Sequence, residues 1–391
     1  MNTDLIFDNT EIAFSLKTDS ELERAYFLFK MISIEPLVRI GTAATNFAIK
    51  AHLPIEGLIR STVFDHFCGG VNEEDCLSVI DNMYQKGVSS VLDYSVEGKE
   101  SEKEFDLAKD KVLNIINFAK EIDAIPIAVF KPTGFGRFKI YEKITRGDNL
   151  TEAEKLEWDR VIDRFNVVCE KAKDNDVAVL IDGEESWMQG AADALVTQMM
   201  QKYNTEKPIV YNTLQMYRHD RLLFLKEEHK KAKTGKYFLG FKLVRGAYME
   251  KENDRAEEKR YKSPICTSKA LTDENFNKGL RYMINNLDCM SLFAGTHNED
   301  SSYLLMKLMS ETGLLNNDPR VWFGQLYGMS DHISFNLANK GYNVAKYVPF
   351  GPVRDVMPYL IRRAEENTSV AGQTGRELAL LAKEKKRRKT L

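Results

Sequence analysis

From residue 88 onward the chain repeats one pattern, a short apolar and β-branched run followed by a longer stretch of helical periodicity. The runs are Val88–Tyr94, Ile125–Phe130, Val177–Ile181, Ile209–Leu214, Tyr237–Val244, Leu292–Thr296, Val321–Gln325 and Val344–Val348. They are continuous rather than alternating, which suits strands buried on both faces of a parallel sheet. Helical patterns lie between them at Ser101–Ile122, Glu152–Asn175, Ala191–Tyr203, Arg218–Lys233 and Asp273–Asn286. Eight such repeats are the arithmetic of a (β/α)8 barrel, and a doubly wound open sheet is the architectural alternative.

The first 86 residues read differently, as a purely helical extension. Leu22, Ala25, Phe27, Leu28 and Met31 form an apolar stripe, with Ser20 and Glu23 as a capping box. Further helices are expected at Leu37–Ala51, Ile55–Phe67 and Asn72–Lys86, the last two stopped by Gly69 and Gly87. The expected organisation is a helical segment over 1–86, a catalytic barrel over 87–370 and a basic helix or tail over 371–391.

Bulk properties exclude several functions. A net charge of −3 gives no general attraction to nucleic acid. No apolar run approaches the roughly 18 residues needed to span a bilayer. Asp4, Asp8 and Glu11 argue against a secretory signal or an acid-poor transit peptide, so a cytoplasmic protein is expected. The five cysteines have no zinc-like spacing and read as reduced, mostly buried thiols, and the histidines contain no HExxH, so no metal is expected.

Barrel enzymes carry their chemistry at the C-terminal ends of the strands. There the runs give Asp93, Lys131, Asp182, Gln215, Lys242 with Arg245, Thr296 with His297, Gln325 with Tyr327, and Tyr347. A single such residue is ordinarily a buried polar group satisfied by backbone. A ring of them at corresponding positions is costly unless they meet a ligand or each other. After the last run, Arg362 and Arg363 sit side by side in Tyr359–Asn367. Guanidinium forks match a carboxylate bidentately, although a solvated pair beside Glu365 or Glu366 reads the same way in sequence. The excess of cations favours an anionic ligand, or both a phosphate-bearing cofactor and a carboxylate substrate. Gly246 permits close backbone approach to such a cofactor. Gly134-Phe-Gly136 lacks the third glycine of a dinucleotide fingerprint, and Pro132–Asn149 is expected to be a long loop forming a lid.

Lys242–Tyr248 (KLVRGAY), Gly295–Asn298 (GTHN), Phe323–Met329 (FGQLYGM), Tyr347–Gly351 (YVPFG) and Tyr359–Asn367 (YLIRRAEEN) together resemble the proline dehydrogenase family, in register from about Ser90 to the C-terminal region. The form resembled is the monofunctional one, since no aldehyde dehydrogenase domain follows. The resemblance implies a distorted (β/α)8 barrel, an FAD cofactor and oxidation of L-proline to Δ1-pyrroline-5-carboxylate by hydride transfer from C5 to flavin N5. It further implies reoxidation by a membrane quinone as the first step of proline catabolism, with a pyrroline-5-carboxylate dehydrogenase downstream.

Carried over by position, Lys131, Arg362 and Arg363 hold the proline carboxylate. Tyr347 and Tyr359 wall the ring, and Glu366 orients the arginines. Gln215, Arg245, Gly246, Ala247, Tyr248, Thr296 and His297 contact FAD; Lys242 lies near its N5 edge and Asp182 shapes the pocket beside Lys131. Many bacterial relatives carry arginine and lysine in the reverse order at positions 242 and 245, so the division of labour between these two charges stays open. A Schiff-base lyase using Lys131 or Lys242 and a hydroxyproline dehydrogenase are the competing activities. The basic run Lys383–Lys389 leaves open a peripheral contact with the inner face of the cytoplasmic membrane, against a solvated helix end whose dipole the cations complement.

Overall fold

The computed structural model describes residues 5–51, 56–95, 100–369 and 373–390. The chain opens with helices α1 (Thr10–Ala13), α2 (Asp19–Ile32), α3 (Glu35–Lys50), α4 (Glu56–Ile59), a π-helical turn at Arg60–Phe64, α5 (Asp65–Phe67) and α6 (Glu73–Tyr84). Alternation then begins with β1 (Val88–Tyr94), α7 (Glu102–Lys120), β2 (Ile127–Phe130), α8 (Phe138–Arg146), α9 (Glu152–Asp174), β3 (Ala178–Ile181) and α10 (Ser186–Tyr203). It continues through β4 (Val210–Gln215), α11 (Arg221–Gly235), β5 (Leu239–Val244), α12 (Met249–Lys259), α13 (Lys269–Ile284), β6 (Met290–Gly295) and α14 (Glu299–Glu311). The last elements are β7 (Val321–Leu326), α15 (Asp331–Asn339), β8 (Val344–Phe350), α16 (Met357–Ser369) and α17 (Gln373–Lys389). The eight strands close into a barrel in sequence order, so the open sheet is set aside.

Contacts group the chain into two compact units, 98–324 and 1–97 with 325–391. In the first, β2 begins only after Pro126, because proline has no N–H to give to a ladder. Phe130 stacks on Phe135 at 4.4 Å, and Phe165 of α9 meets Phe130 edge-on at 5.1 Å. The buried Arg164 ties α9 to α7 through Glu102 at 2.5 Å and Asp106 at 2.9 Å. Residues 132–149 are not the expected open loop. They contain the amphipathic helix α8, capped by Gly147 in the left-handed region and held to α10 by Thr145, whose hydroxyl donates to Met188 O.

In the second unit β1 and β8 pair in parallel, from Val88 with Val344 to Tyr94 with Phe350. The capping box of α2 is Thr18 with Glu21, two residues before the expected pair: Thr18 N–H donates to Glu21 at 2.8 Å and Glu21 N–H to Thr18 Oγ1 at 3.3 Å. The buried face of the helix is Leu22, Ala25, Phe29 and Ile32, while Phe27 and Met31 are exposed.

That buried face receives α17. Leu380 and Leu381 pack with Ala13, Phe14, Leu22, Ala25 and Phe29, where two fully buried leucines contribute roughly 3–6 kcal/mol. Its cations are partnered: Arg376 with Asp8 at 2.6 Å, Lys385 with Glu23 at 2.6 Å, and Arg388 with Asp19 at 2.9 Å and Glu384 at 2.8 Å. The basic run is therefore a docked helix, although Lys386 and Lys389 stay exposed.

Candidate active site

Strand register brings the principal charges of unit 98–324 together. Phe130 pairs with Ile181, so Lys131 and Asp182 follow side by side at the ends of β2 and β3. Leu180 pairs with Tyr211 and Thr213 with Lys242, which sets Lys242 on the same row two strands further on. Residues of one row in a parallel sheet point to one face. Asp182 accordingly bridges two ammonium groups, Lys242 Nζ at 2.5 Å and Lys131 Nζ at 3.9 Å. The side chains are 7% (Lys242) and 17% (Lys131 and Asp182) exposed, so the attraction is screened less than at a surface. Paired with one carboxylate, the two lysines form a charged, electrostatic element at the strand ends.

A second network joins the neighbouring strand ends. Glu184, just beyond β3, accepts from Thr133 N–H at 3.0 Å and from Thr133 Oγ1–H at 2.7 Å. Burial pushes its carboxyl up to about 7, against the lowering effect of the two Thr133 bonds. Gln215 at the end of β4 donates to Glu184 O at 2.6 Å and accepts from Ala247 N–H at 3.4 Å, bracing the loop after β5. Sequence reasoning named Gln215 but missed Glu184 and Thr133. The only signal was the acid pair Glu184-Glu185 directly after Asp182-Gly183, which looks like a solvated turn until its burial is known.

In the loop after β5, Gly246 has φ +137, and a Cβ there would stand 2.6 Å from the Tyr217 ring, so only glycine fits. Gly246 and Ala247 are exposed, leaving this backbone open to a ligand, and the half-buried Tyr248 caps α12. Arg245 is held firmly: Nε donates to Asp273 at 2.7 Å, Nη1 to Thr296 Oγ1 at 2.7 Å and Nη2 to Ser301 Oγ at 3.0 Å. Its guanidinium also lies over Phe276 at 4.6 Å. It thereby links the ends of β5 and β6, where Thr296 and the half-buried His297 precede α14. An open glycine backbone, the anchored Arg245 guanidinium and the hydroxyls of Thr296 and Ser301 form a donor set that fits a phosphate-bearing flavin.

In the other unit, Tyr347 lies buried in β8, and its carbonyl accepts from Tyr327 N–H at 2.8 Å. On α16 Tyr359 and Arg363 are one turn apart, with the guanidinium 5.0 Å from the ring centroid. Arg363 is buried and Arg362 half-buried. Successive helical residues point about 100° apart, so the two arginines address adjacent directions rather than one. Glu366 falls on α16, but its side chain lies outside the described residues.

Comparison with known proteins agrees with this architecture. The family model for proline dehydrogenase matches residues 76–376. The carbapenem antibiotics biosynthesis protein CarD of Pectobacterium carotovorum is 36% identical over 335 residues, 85% of this chain and 86% of that protein. Mitochondrial proline dehydrogenase 2 of Arabidopsis thaliana is 30% identical, over 94% of this chain and 87% of its own. Proline utilization A of Bdellovibrio bacteriovorus superposes with a TM-score of 0.69 at 20% identity, over 95% of this chain and 40% of that longer one, a likeness of fold. The chain is an enzyme that belongs to the proline dehydrogenase family.

Proposed function

We propose that this enzyme oxidises L-proline to Δ1-pyrroline-5-carboxylate, with electrons passing from a bound FAD to a quinone. The observation that carries the reading is the Asp182 bridge between Lys131 and Lys242 at the strand ends. FAD, when bound, supplies the acceptor for the hydride that leaves proline C5. Gln215, Arg245, Gly246, Ala247, Tyr248, Thr296 and His297 are the residues we assign to holding it, and Lys242 to the edge that becomes electron-rich.

For the substrate, Lys131, Arg362 and Arg363 are assigned to the carboxylate. Tyr347 and Tyr359 are assigned to the ring, and Glu366 to the arginines. Fixing the ring by its carboxylate orients the C5–H bond, a contribution of up to roughly 7–11 kcal/mol in the best model systems. Positive charge around the bound amine also favours its neutral form, whose lone pair drives hydride departure; the amine proton passes to water. The purified protein should be yellow, bleach with proline and recover colour on adding a quinone. A colourless protein trapped by borohydride with a carbonyl substrate would establish the lyase instead. In hydroxyproline the extra ring hydroxyl has to fit beside Tyr347 and Tyr359, so we expect turnover of that substrate to be weaker.

Contact with a quinone-bearing membrane belongs to the same reading. Among the described residues no helix is long and apolar enough to cross a bilayer. Most cations of α17 are paired, so the tail supports such contact less than its sequence suggests. Phe27, Met31, Ile34, Leu37 and Ile40 of α2, α3 and their link are 37–67% exposed, with Arg24 and Lys30 beside them. An apolar stripe flanked by cations is what an interfacial helix presents to anionic lipid.

A further inference from the structure

Behind β8 lies a group of buried charges to which the functional reading gives no role. Lys346 alternates with Tyr347 along the strand, so its side chain leaves by the opposite face. Its ammonium, 1% exposed, meets Asp331 at 2.9 Å and donates to Met329 O at 2.7 Å and Leu326 O at 3.3 Å. Asp331, the first residue of α15, takes a second ammonium from Lys17 at 3.0 Å. One carboxylate thus joins β8 to the segment ahead of α2.

The turn between β7 and α15, Leu326–Ser330, is gripped from another side too. His66 Nε2 donates to Gly328 O at 3.0 Å, and burial holds its imidazole down to about 3, hence neutral. Gly328 has φ +77, and a Cβ there would lie 2.3 Å from His66 O, so the turn and α5 are in backbone contact. Ser330 also sits in the left-handed region at φ 52, a conformation that surrounding contacts must maintain. From this turn Tyr327 N–H reaches Tyr347 O at 2.8 Å.

We propose that the N-terminal extension is a positioning element for the substrate pocket, with Lys17 and His66 holding the 326–331 turn that, through Asp331, Lys346 and Tyr327, fixes the place of Tyr347. The inference rests on the reading that Tyr347 walls the proline ring. It gives a function to helices that carry no chemical motif. A buried ion pair is weak ground for stability, whereas its use in fixing one arrangement is better attested. The geometry agrees: the two ammonium groups come from distant parts of the chain and meet on one carboxylate.

The test is Lys17→Met in the full-length, FAD-loaded enzyme, which leaves the Lys346–Asp331 pair in place and so permits folding. The expected result is a KM for proline raised about tenfold per bound flavin, with kcat changed less than about threefold. Faster hydrogen exchange at the amides of residues 326–331 should accompany it, and Lys17→Arg should restore both. A lowered Tm with KM and exchange unchanged would show mere anchoring and overturn the proposal. An unaltered enzyme that neither bleaches with proline nor turns it over would sink the functional reading itself. An active parent with a normal KM in Lys17→Met sinks only the clamp.

Discussion

Replacing Asp182 by asparagine keeps the shape of the strand end and removes a carboxylate shared by Lys131 and Lys242. Two ammonium groups, 17% and 7% exposed, then lose the charge of that carboxylate. Breaking a buried pair by deleting one partner costs about 3–5 kcal/mol; partial exposure places this case at the lower end, about 3 kcal/mol. With about 2.1 cal/mol/K of unfolding entropy per residue, 391 residues give about 0.8 kcal/mol/K, so Tm should fall by about 4 °C. The kinetic consequence has the opposite sign for binding. Lys131 is released to pull on a carboxylate, so KM for proline should not rise. Lys242 loses its orienting partner, so kcat should fall at least tenfold. Differential scanning calorimetry and single-turnover bleaching of the flavin measure the two effects. A Tm within about 1 °C of the parent together with an unchanged kcat would show that the bridge is neither a structural nor an electrostatic element.

Arg362→Lys keeps the charge but loses the bidentate fork, so KM for proline should rise about tenfold while flavin stays bound; an unchanged KM places the carboxylate elsewhere. Glu184 has a folded-state value near 7 against an ordinary 4.5, so it contributes stability that is full below pH 4.5 and lost as pH rises through 7. Glu184→Gln removes that dependence, so relative to the parent it should gain about 3 kcal/mol between pH 4.5 and 8 in urea unfolding; parallel curves would refute this. Full-length protein should co-sediment with vesicles of phosphatidylcholine and phosphatidylglycerol. A Phe27→Glu/Ile40→Glu variant should lose this, while Lys386→Glu/Lys389→Glu should not; the reverse pattern returns the contact to the tail.

The barrel was legible because each strand announced itself by a continuous apolar run; boundaries moved by at most two residues, at β2 because Pro126 has no N–H to give to a ladder. The polar ends were legible for the same reason: once strands are placed, the residue after each is fixed, which is how Lys131 and Asp182 were found, while Lys242 stood out as a charge inside the fifth run. What pairs with what was not. Nothing in the order of residues says that Arg245 is taken up by Asp273 and Ser301, or that Glu184 is buried. These depend on inter-strand register and on helix rotation about the barrel. The helical extension misled in a different way. Helix α2 is apolar on two faces, so periodicity could not choose between Phe27 and Phe29, and the choice fell to α17, distant in the chain. The α8 segment was read as a loop because its glycines and arginines mask an amphipathic helix held by Thr145 and Arg137.

The joining of α17 to α1 and α2 sets an order of events during synthesis. Domains generally fold from the N-terminus as they emerge, but here Phe14, Leu22, Ala25 and Phe29 must wait for Leu380 and Leu381, made only after all eight strands. Until that stretch has left the ribosome the apolar face stays wet, and a premature stop anywhere before position 380 leaves it so for good.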